Sequence, residues 1–124
     1  MRSLIINGGA EISGNVTIGG NKNAVLPMIA ASILTKEEII MHDVPAISDA
    51  DVMLKIIQHL GAKVTRSGKT VRINAKNITK GEIPKSLCSA LRTSILLAGP
   101  LSVRCGEATI YPPGGDVIGR RRLD

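Results

Sequence analysis

The sequence predicts a mixed α/β (α+β) fold, and three observations carry that prediction. Short runs of branched residues alternate apolar and polar side chains, as half-buried strands do. Stretches with helical spacing separate them. Apolar residues make up 44% of the 124 positions against 21% charged, a globular balance. A chain of this length buries roughly two-thirds of the surface it exposes when unfolded, enough for a core. The core must be aliphatic, because Tyr111 is the single aromatic residue. The same scarcity excludes a base-stacking platform for single-stranded nucleic acid, which needs several aromatic faces.

Taken in order, Ser3 to Asn7 and Asn15 to Gly19 read as two strands. Gly19-Gly20-Asn21 breaks the pattern, and a helix follows over Ala24 to Leu34, apolar nearly all round and therefore expected to be buried on most sides, with Pro27 near its first turn. Glu38 to Val44 is a third strand. Ser48 and Asp51 resemble a capping box for a helix whose stripe is Val52, Met53, Ile56, Ile57 and Leu60 and whose stop is Gly61. Ala62 to Ser67 and Thr70 to Ala75 form a hairpin about Gly68-Lys69, with Val64, Val71 and Ile73 inward. Gly68-Lys69-Thr70 also resembles the end of a phosphate-binding P-loop, but the glycine needed five residues earlier is Lys63 and no helix follows, so the turn reading prevails. A further helix runs from Pro84 to about Ala98, with Leu87, Leu91, Ile95 and Ala98 inward, closed by Gly99-Pro100. A strand near Ala108 to Tyr111 precedes Pro112-Pro113-Gly114-Gly115-Asp116-Val117-Ile118-Gly119, which reads as an exposed loop with a stiff base and a flexible tip.

The net charge of +6, from 16 Lys and Arg against 10 Asp and Glu, points to an anionic partner without choosing among nucleic acid, anionic lipid and phosphorylated metabolites. Cys88 and Cys105 read as small core residues of a reducing cytosol rather than a disulfide. The apolar stretch Ala24 to Leu34 falls short of the ~20 residues that span a bilayer. The apolar run at the N-terminus is too short for a signal peptide, so a soluble, cytoplasmic protein without membrane contact is expected.

Three features could carry chemistry. Gly19-Gly20-Asn21-Lys22-Asn23 stands at a strand-to-helix junction, where free N–H groups and the helix dipole favour an anion and Lys22 adds a point charge. A tight turn with Asn capping and a solvated lysine is the alternative. Arg92, in a helix of small and apolar residues, needs either an internal carboxylate or a ligand phosphate or carbonyl. Asp116 at a loop tip is an ordinary turn residue on its own, and Arg120, Arg121 and Arg122 an ordinary solvated run. His42 and His59 read as structural or surface residues.

In combination these pieces resemble a family. Gly20-Asn21-Lys22-Asn23-Ala24-Val25-Leu26-Pro27, Leu91-Arg92-Thr93-Ser94, Leu97-Ala98-Gly99-Pro100-Leu101 and Pro113-Gly114-Gly115-Asp116-Val117-Ile118-Gly119 occur in order across the chain. They are similar to the N-terminal part of the UDP-N-acetylglucosamine 1-carboxyvinyltransferases, which are enolpyruvyl transferases. The shikimate-pathway enolpyruvyl transferases share the architecture, but the Pro-Gly-Gly-Asp loop favours the cell-wall branch. The resemblance implies a fold of repeated βαβαββ units, here incomplete. Residues 1–20 would supply strands that pack with a second domain, and residues 21–124 part of the first domain, ending after a lid loop at 112–121.

It also implies a reaction without metal or organic cofactor: the sugar 3-hydroxyl adds to C2 of phosphoenolpyruvate while C3 is protonated, and phosphate leaves. Both partners, phosphoenolpyruvate and UDP-N-acetylglucosamine, are anionic, which accounts for the cations better than nucleic acid does. Carried over by position, Lys22 and Asn23 bind phosphoenolpyruvate or position the sugar nucleotide, and Arg92 contacts UDP-N-acetylglucosamine. Arg121 neutralises phosphate, and Arg121, Arg122, Leu123 and Asp124 begin the stretch that holds the uridine part. Asp116 stands where the family commonly has a lid cysteine acting as general acid; a carboxyl can give the same proton if the closed lid keeps it protonated. Arg120 and Arg122 stand where the family has a small residue and a proline. In the family the base lies beyond the position of residue 124 and a further arginine comes from the second domain, so a chain ending here is expected to be part of the enzyme, with little or no turnover alone. The alternative is an inactive module that binds a UDP-sugar or a protein.

Overall fold

The computed structural model describes residues 3–114. From residue 22 the order is α1 (Lys22–Ser32), β1 (Glu38–Met41), α2 (Ser48–His59), β2 (Lys63–Ser67), β3 (Thr70–Asn74), α3 (Lys85–Ala90), a 3-10 helix (Arg92–Leu97) and α4 (Ala98–Cys105). The sheet is antiparallel with order β1-β3-β2, so the central strand is the last one made. β3 buries Val71 and Ile73 and exposes Arg72 between them, so the sheet has one packed and one solvated face. Up to β3 the chain is a βαβαββ unit without its opening strand.

The hairpin forms where expected. Gly68 takes φ +56° at the first central position of the two-residue turn, a value suited to glycine, and Val64 pairs with Ile73. The P-loop resemblance is thereby absorbed into a turn. β1 stops at Met41 rather than Val44, but the Val44 N–H still donates to the Lys69 carbonyl at 2.8 Å. The end of α2 is a Schellman motif. The Gly61 N–H donates to Gln58, the Ala62 N–H donates to Ile57, and Gly61 takes φ +113°.

Several expectations are corrected. Residues 3–20 form no strand and pair with none among the described residues. Leu4, Ile5, Ile6, Ile12, Val16 and Ile18 are at least 79% exposed, because alternation makes a strand only when a partner offers backbone groups. α1 is not buried on most sides: Val25, Leu26, Ile29 and Ala30 face the core, while Ala24, Pro27, Met28 and Ala31 face outward. The capping box does not form, since Ser48 is already the first helical residue and Ile47 holds the cap position without a side-chain bond. Ala108 to Tyr111 is no strand, only a single parallel bridge between Glu82 and Thr109.

The largest correction concerns the helix expected over Pro84 to Ala98. It breaks at Leu91, which is extended at φ −146°, ψ 118°, and resumes as a 3-10 helix. The buried positions are Cys88, Leu91, Ser94 and Leu97, at intervals of three, whereas Leu87, Ile95 and Ala98 are only half-buried. Three residues per turn stacks such positions on one side. Gly99-Pro100 does not close the helix; both lie in the first turn of α4, where a proline's missing N–H has no intrahelical partner to lose. α4 ends instead at Gly106, left-handed at φ +80°.

The core is aliphatic as expected: Leu26, Ile29 and Ile33 meet Met53, Ile56, Ile57 and Leu60, and Ile73, Ile83, Leu97 and Leu101 complete it. Arg66 ties the hairpin to the loop before α2. Its guanidinium donates to the carbonyls of Val44 (3.2 Å), Pro45 (3.1 Å) and Gly68 (3.1 Å) and to the Asp51 carboxylate (2.9 Å). Arg66→Ala is expected to lower the unfolding free energy by about 2 kcal/mol, since charged hydrogen bonds to fixed carbonyls are lost together. Arg66→Lys should recover less than half, because an ammonium lacks the fork geometry. Urea unfolding of the three chains checks this.

Candidate functional site

The junction singled out in the sequence is built tightly. A Cβ on Gly20 would overlap the Asp43 carbonyl oxygen and press on the Pro45 ring, so only glycine lets the chain pass the β1–α2 loop here. Asp43 itself is left-handed, φ +57°, a conformation that Asp tolerates better than most residues. Asn21 then caps α1, its Oδ1 accepting from the Asn23 N–H at 2.7 Å. The Ala24 and Val25 N–H groups donate to the Asn21 carbonyl. The first-turn donors at Asn23, Ala24 and Val25 are therefore already used, and what this helix start can offer an anion is chiefly the Lys22 side chain.

Of the turn reading, the Asn21 cap is observed, but Lys22 is no free solvated cation. Its ammonium forms an ion pair with Asp49 Oδ2 in the first turn of α2. Asn23 is exposed beside it. No local signal marks Asp49, since Ser48 and Asp51 alone resemble a cap, and the pairing joins positions that only the packing of α1 on α2 makes neighbours.

Arg92 opens the 3-10 helix directly after the break at Leu91 and is half-buried. That helix packs on α1, so the elements that begin with Lys22 and with Arg92 touch each other. Beside Arg92, Thr93 Oγ1 and Ser94 Oγ are buried without hydrogen-bond partners among the described residues. The expected loop is anchored to α3, the segment just before this 3-10 helix. The Gly114 N–H donates to the Cys88 carbonyl at 3.0 Å, and a Cβ on Gly114 would overlap the Ser89 carbonyl. The stiff base thus rests on the end of α3, a few residues before Arg92. Asp116, Arg121, Arg122, Leu123 and Asp124 lie outside the described residues, as do Arg120 and the tip of the loop.

Elsewhere, a groove of about 610 Å³ is lined by His59, Thr79, Lys80, Gly81, Glu82, Pro84, Glu107 and Thr109, and contains none of Lys22, Asn23 and Arg92. Among the described residues no three His, Cys, Asp or Glu side chains gather as metal ligands, both cysteines are free, and no helix is long and apolar enough to cross a membrane.

With this geometry in place, comparison with known proteins defines the class. The family described as EPSP synthase (3-phosphoshikimate 1-carboxyvinyltransferase) matches residues 6–124, and the chain belongs to this family of enolpyruvyl transferases. The solved enolpyruvyl transferase NikO from Streptomyces tendae superposes with a TM-score of 0.69 at 25% identity, over 78% of this chain and 23% of that one. Among relatives, the UDP-N-acetylglucosamine 1-carboxyvinyltransferase of Borreliella burgdorferi is 48% identical over the whole chain, and that of Bradyrhizobium diazoefficiens 46% identical over 97% of it. The chain spans only 29% and 28% of these two relatives, and corresponds to their N-terminal part.

The loop base carries a spectroscopic handle. The Tyr111 O–H donates to Glu82 Oε1 at 3.0 Å, and this hydrogen bond, with the nearby carboxylate charge, holds the phenol's pKa above its ordinary value of 10.0. With the folded value raised, the linked stability is fully present below the unfolded pKa and is lost as pH rises through the folded one. Because Tyr111 is the only aromatic residue, an ultraviolet pH titration reads it alone. Ionisation is expected above that of free tyrosine, and in Glu82→Gln it should move back toward it.

Proposed function

We propose that this chain forms the N-terminal, anion-binding portion of an enolpyruvyl transferase that uses phosphoenolpyruvate and UDP-N-acetylglucosamine, the step that commits the sugar nucleotide to peptidoglycan. The similarity over the full chain to relatives bearing that activity in their names carries this reading. The capped helix start with Lys22 at its first position, on a helix that packs against the one opened by Arg92, is consistent with it. In this reading Lys22 and Asn23 receive phosphoenolpyruvate or the sugar nucleotide, and Arg92 contacts UDP-N-acetylglucosamine. Arg121, Arg122, Leu123 and Asp124 hold phosphate and uridine.

Asp116 is the general acid that protonates C3 while the sugar oxygen adds to C2. A carboxylic acid serves only while protonated, so closure of the loop must keep water away from it. No thiol is then present at that position for an epoxide such as fosfomycin to alkylate. The exposed apolar residues Leu4, Ile5, Ile6, Val16 and Ile18 support the view that residues 1–20 pack against a further domain, which would complete the site. A half-site open to solvent neither excludes water nor assembles the full set of charges, so the 124-residue chain binds without sustained turnover.

Calorimetric titration of the chain with UDP-N-acetylglucosamine, in the presence of phosphoenolpyruvate, should show binding that Lys22→Ala and Arg92→Ala each weaken by about tenfold, about 1.4 kcal/mol. Phosphate release should stay at background. Binding unaffected by either substitution would overturn the reading, and steady phosphate release would overturn the claim that the chain alone is inactive. Covalent labelling by fosfomycin at residue 116, read by mass spectrometry, would overturn the expected insensitivity to that epoxide.

A further inference from the structure

We infer that Asp49 is a positioning residue that holds the Lys22 ammonium for the phosphate of phosphoenolpyruvate. The inference rests on the proposed role of Lys22. The two acids in the first turn of α2 divide their work: Asp51 is taken by Arg66 at 2.9 Å, while Asp49 turns to Lys22 through Oδ2, with its Oδ1 3.5 Å from the Ser48 hydroxyl. Both sides of the pair sit on fixed backbone. α1 is set by the Asn21 cap and the glycine-only passage at Gly20, and the loop leading into α2 is held by Arg66 on the Val44 and Pro45 carbonyls.

Stability alone does not account for the pair. Its side chains remain 54% and 30% exposed, and ion pairs in water contribute little to stability. Preorganisation does account for it. A lysine loses rotamer entropy on gripping a ligand, and a partner that has already ordered the side chain removes part of that loss. An ammonium has three donors, so the one used by Asp49 leaves two for a phosphate.

The test follows the Lys22 ammonium by NMR in the 124-residue chain while phosphoenolpyruvate is added. Asp49→Asn keeps the side chain's size and removes its charge; Asp49→Glu keeps the charge. The wild-type signal should respond saturably, Asp49→Asn should weaken the apparent affinity about fivefold with little change in the melting midpoint, and Asp49→Glu should restore most of it. In a Lys22→Met background, with binding read from the ligand's phosphorus signal, Asp49→Asn should have no further effect, as a merely structural role would not predict. A wild-type response that Asp49→Asn leaves unchanged, or an equal loss in the Lys22→Met background, overturns the inference while leaving the role of Lys22 standing. A Lys22 signal indifferent to phosphoenolpyruvate overturns both.

Discussion

The grip of one guanidinium on the loop before α2 is the constraint on which the candidate site depends. Arg66 leaves the hairpin strand and satisfies carbonyls on three residues and a carboxylate at once. A guanidinium suits this because its donors form a rigid planar fork, so the acceptors must stand where the fork points. Once the Val44 and Pro45 carbonyls are held, Asp43 lies against Gly20 and α2 begins next to α1. The exposed cation that begins α1 is therefore positioned by contacts made well behind it.

The second constraint is the interruption between α3 and the 3-10 helix. A continuous α-helix would have turned Leu87, Ile95 and Ala98 inward; the break buries positions three apart instead. Its consequence is local and chemical. Arg92 becomes the first residue of a new helical segment, while the preceding turn offers the Cys88 and Ser89 carbonyls as a seat for Gly114. The cation and the base of the loop are thus organised by one irregularity. Tighter 3-10 geometry inside a helical run often marks such a place.

The outward-facing apolar surface shows the other side of family membership. α1 turns Met28, 54% exposed, toward solvent. Relatives more than three times as long have further chain with which to bury such surfaces. A helix apolar on most sides is described by its surroundings, and here its outer residues Ala24, Pro27, Met28 and Ala31 are exposed.

Much was legible in the residues themselves. The aliphatic core, the stripe of α2, the Gly61 stop and the Gly68-Lys69 turn depend on side-chain period and on backbone freedom at single positions, which local sequence encodes. The site candidates come from motifs that fall in order along the chain, and their roles stand as proposals. The break at Leu91, the passage of α4 through Pro100 and the missing strands at the N-terminus were not legible, because each depends on a neighbour distant in sequence. The pairing of Lys22 with Asp49 belongs with them. Spacing along a chain determines which face of an element is apolar and where it must turn, whereas the partner of a charged side chain is decided only when packed helices bring their ends within a few ångströms, the range over which an ion pair acts through water.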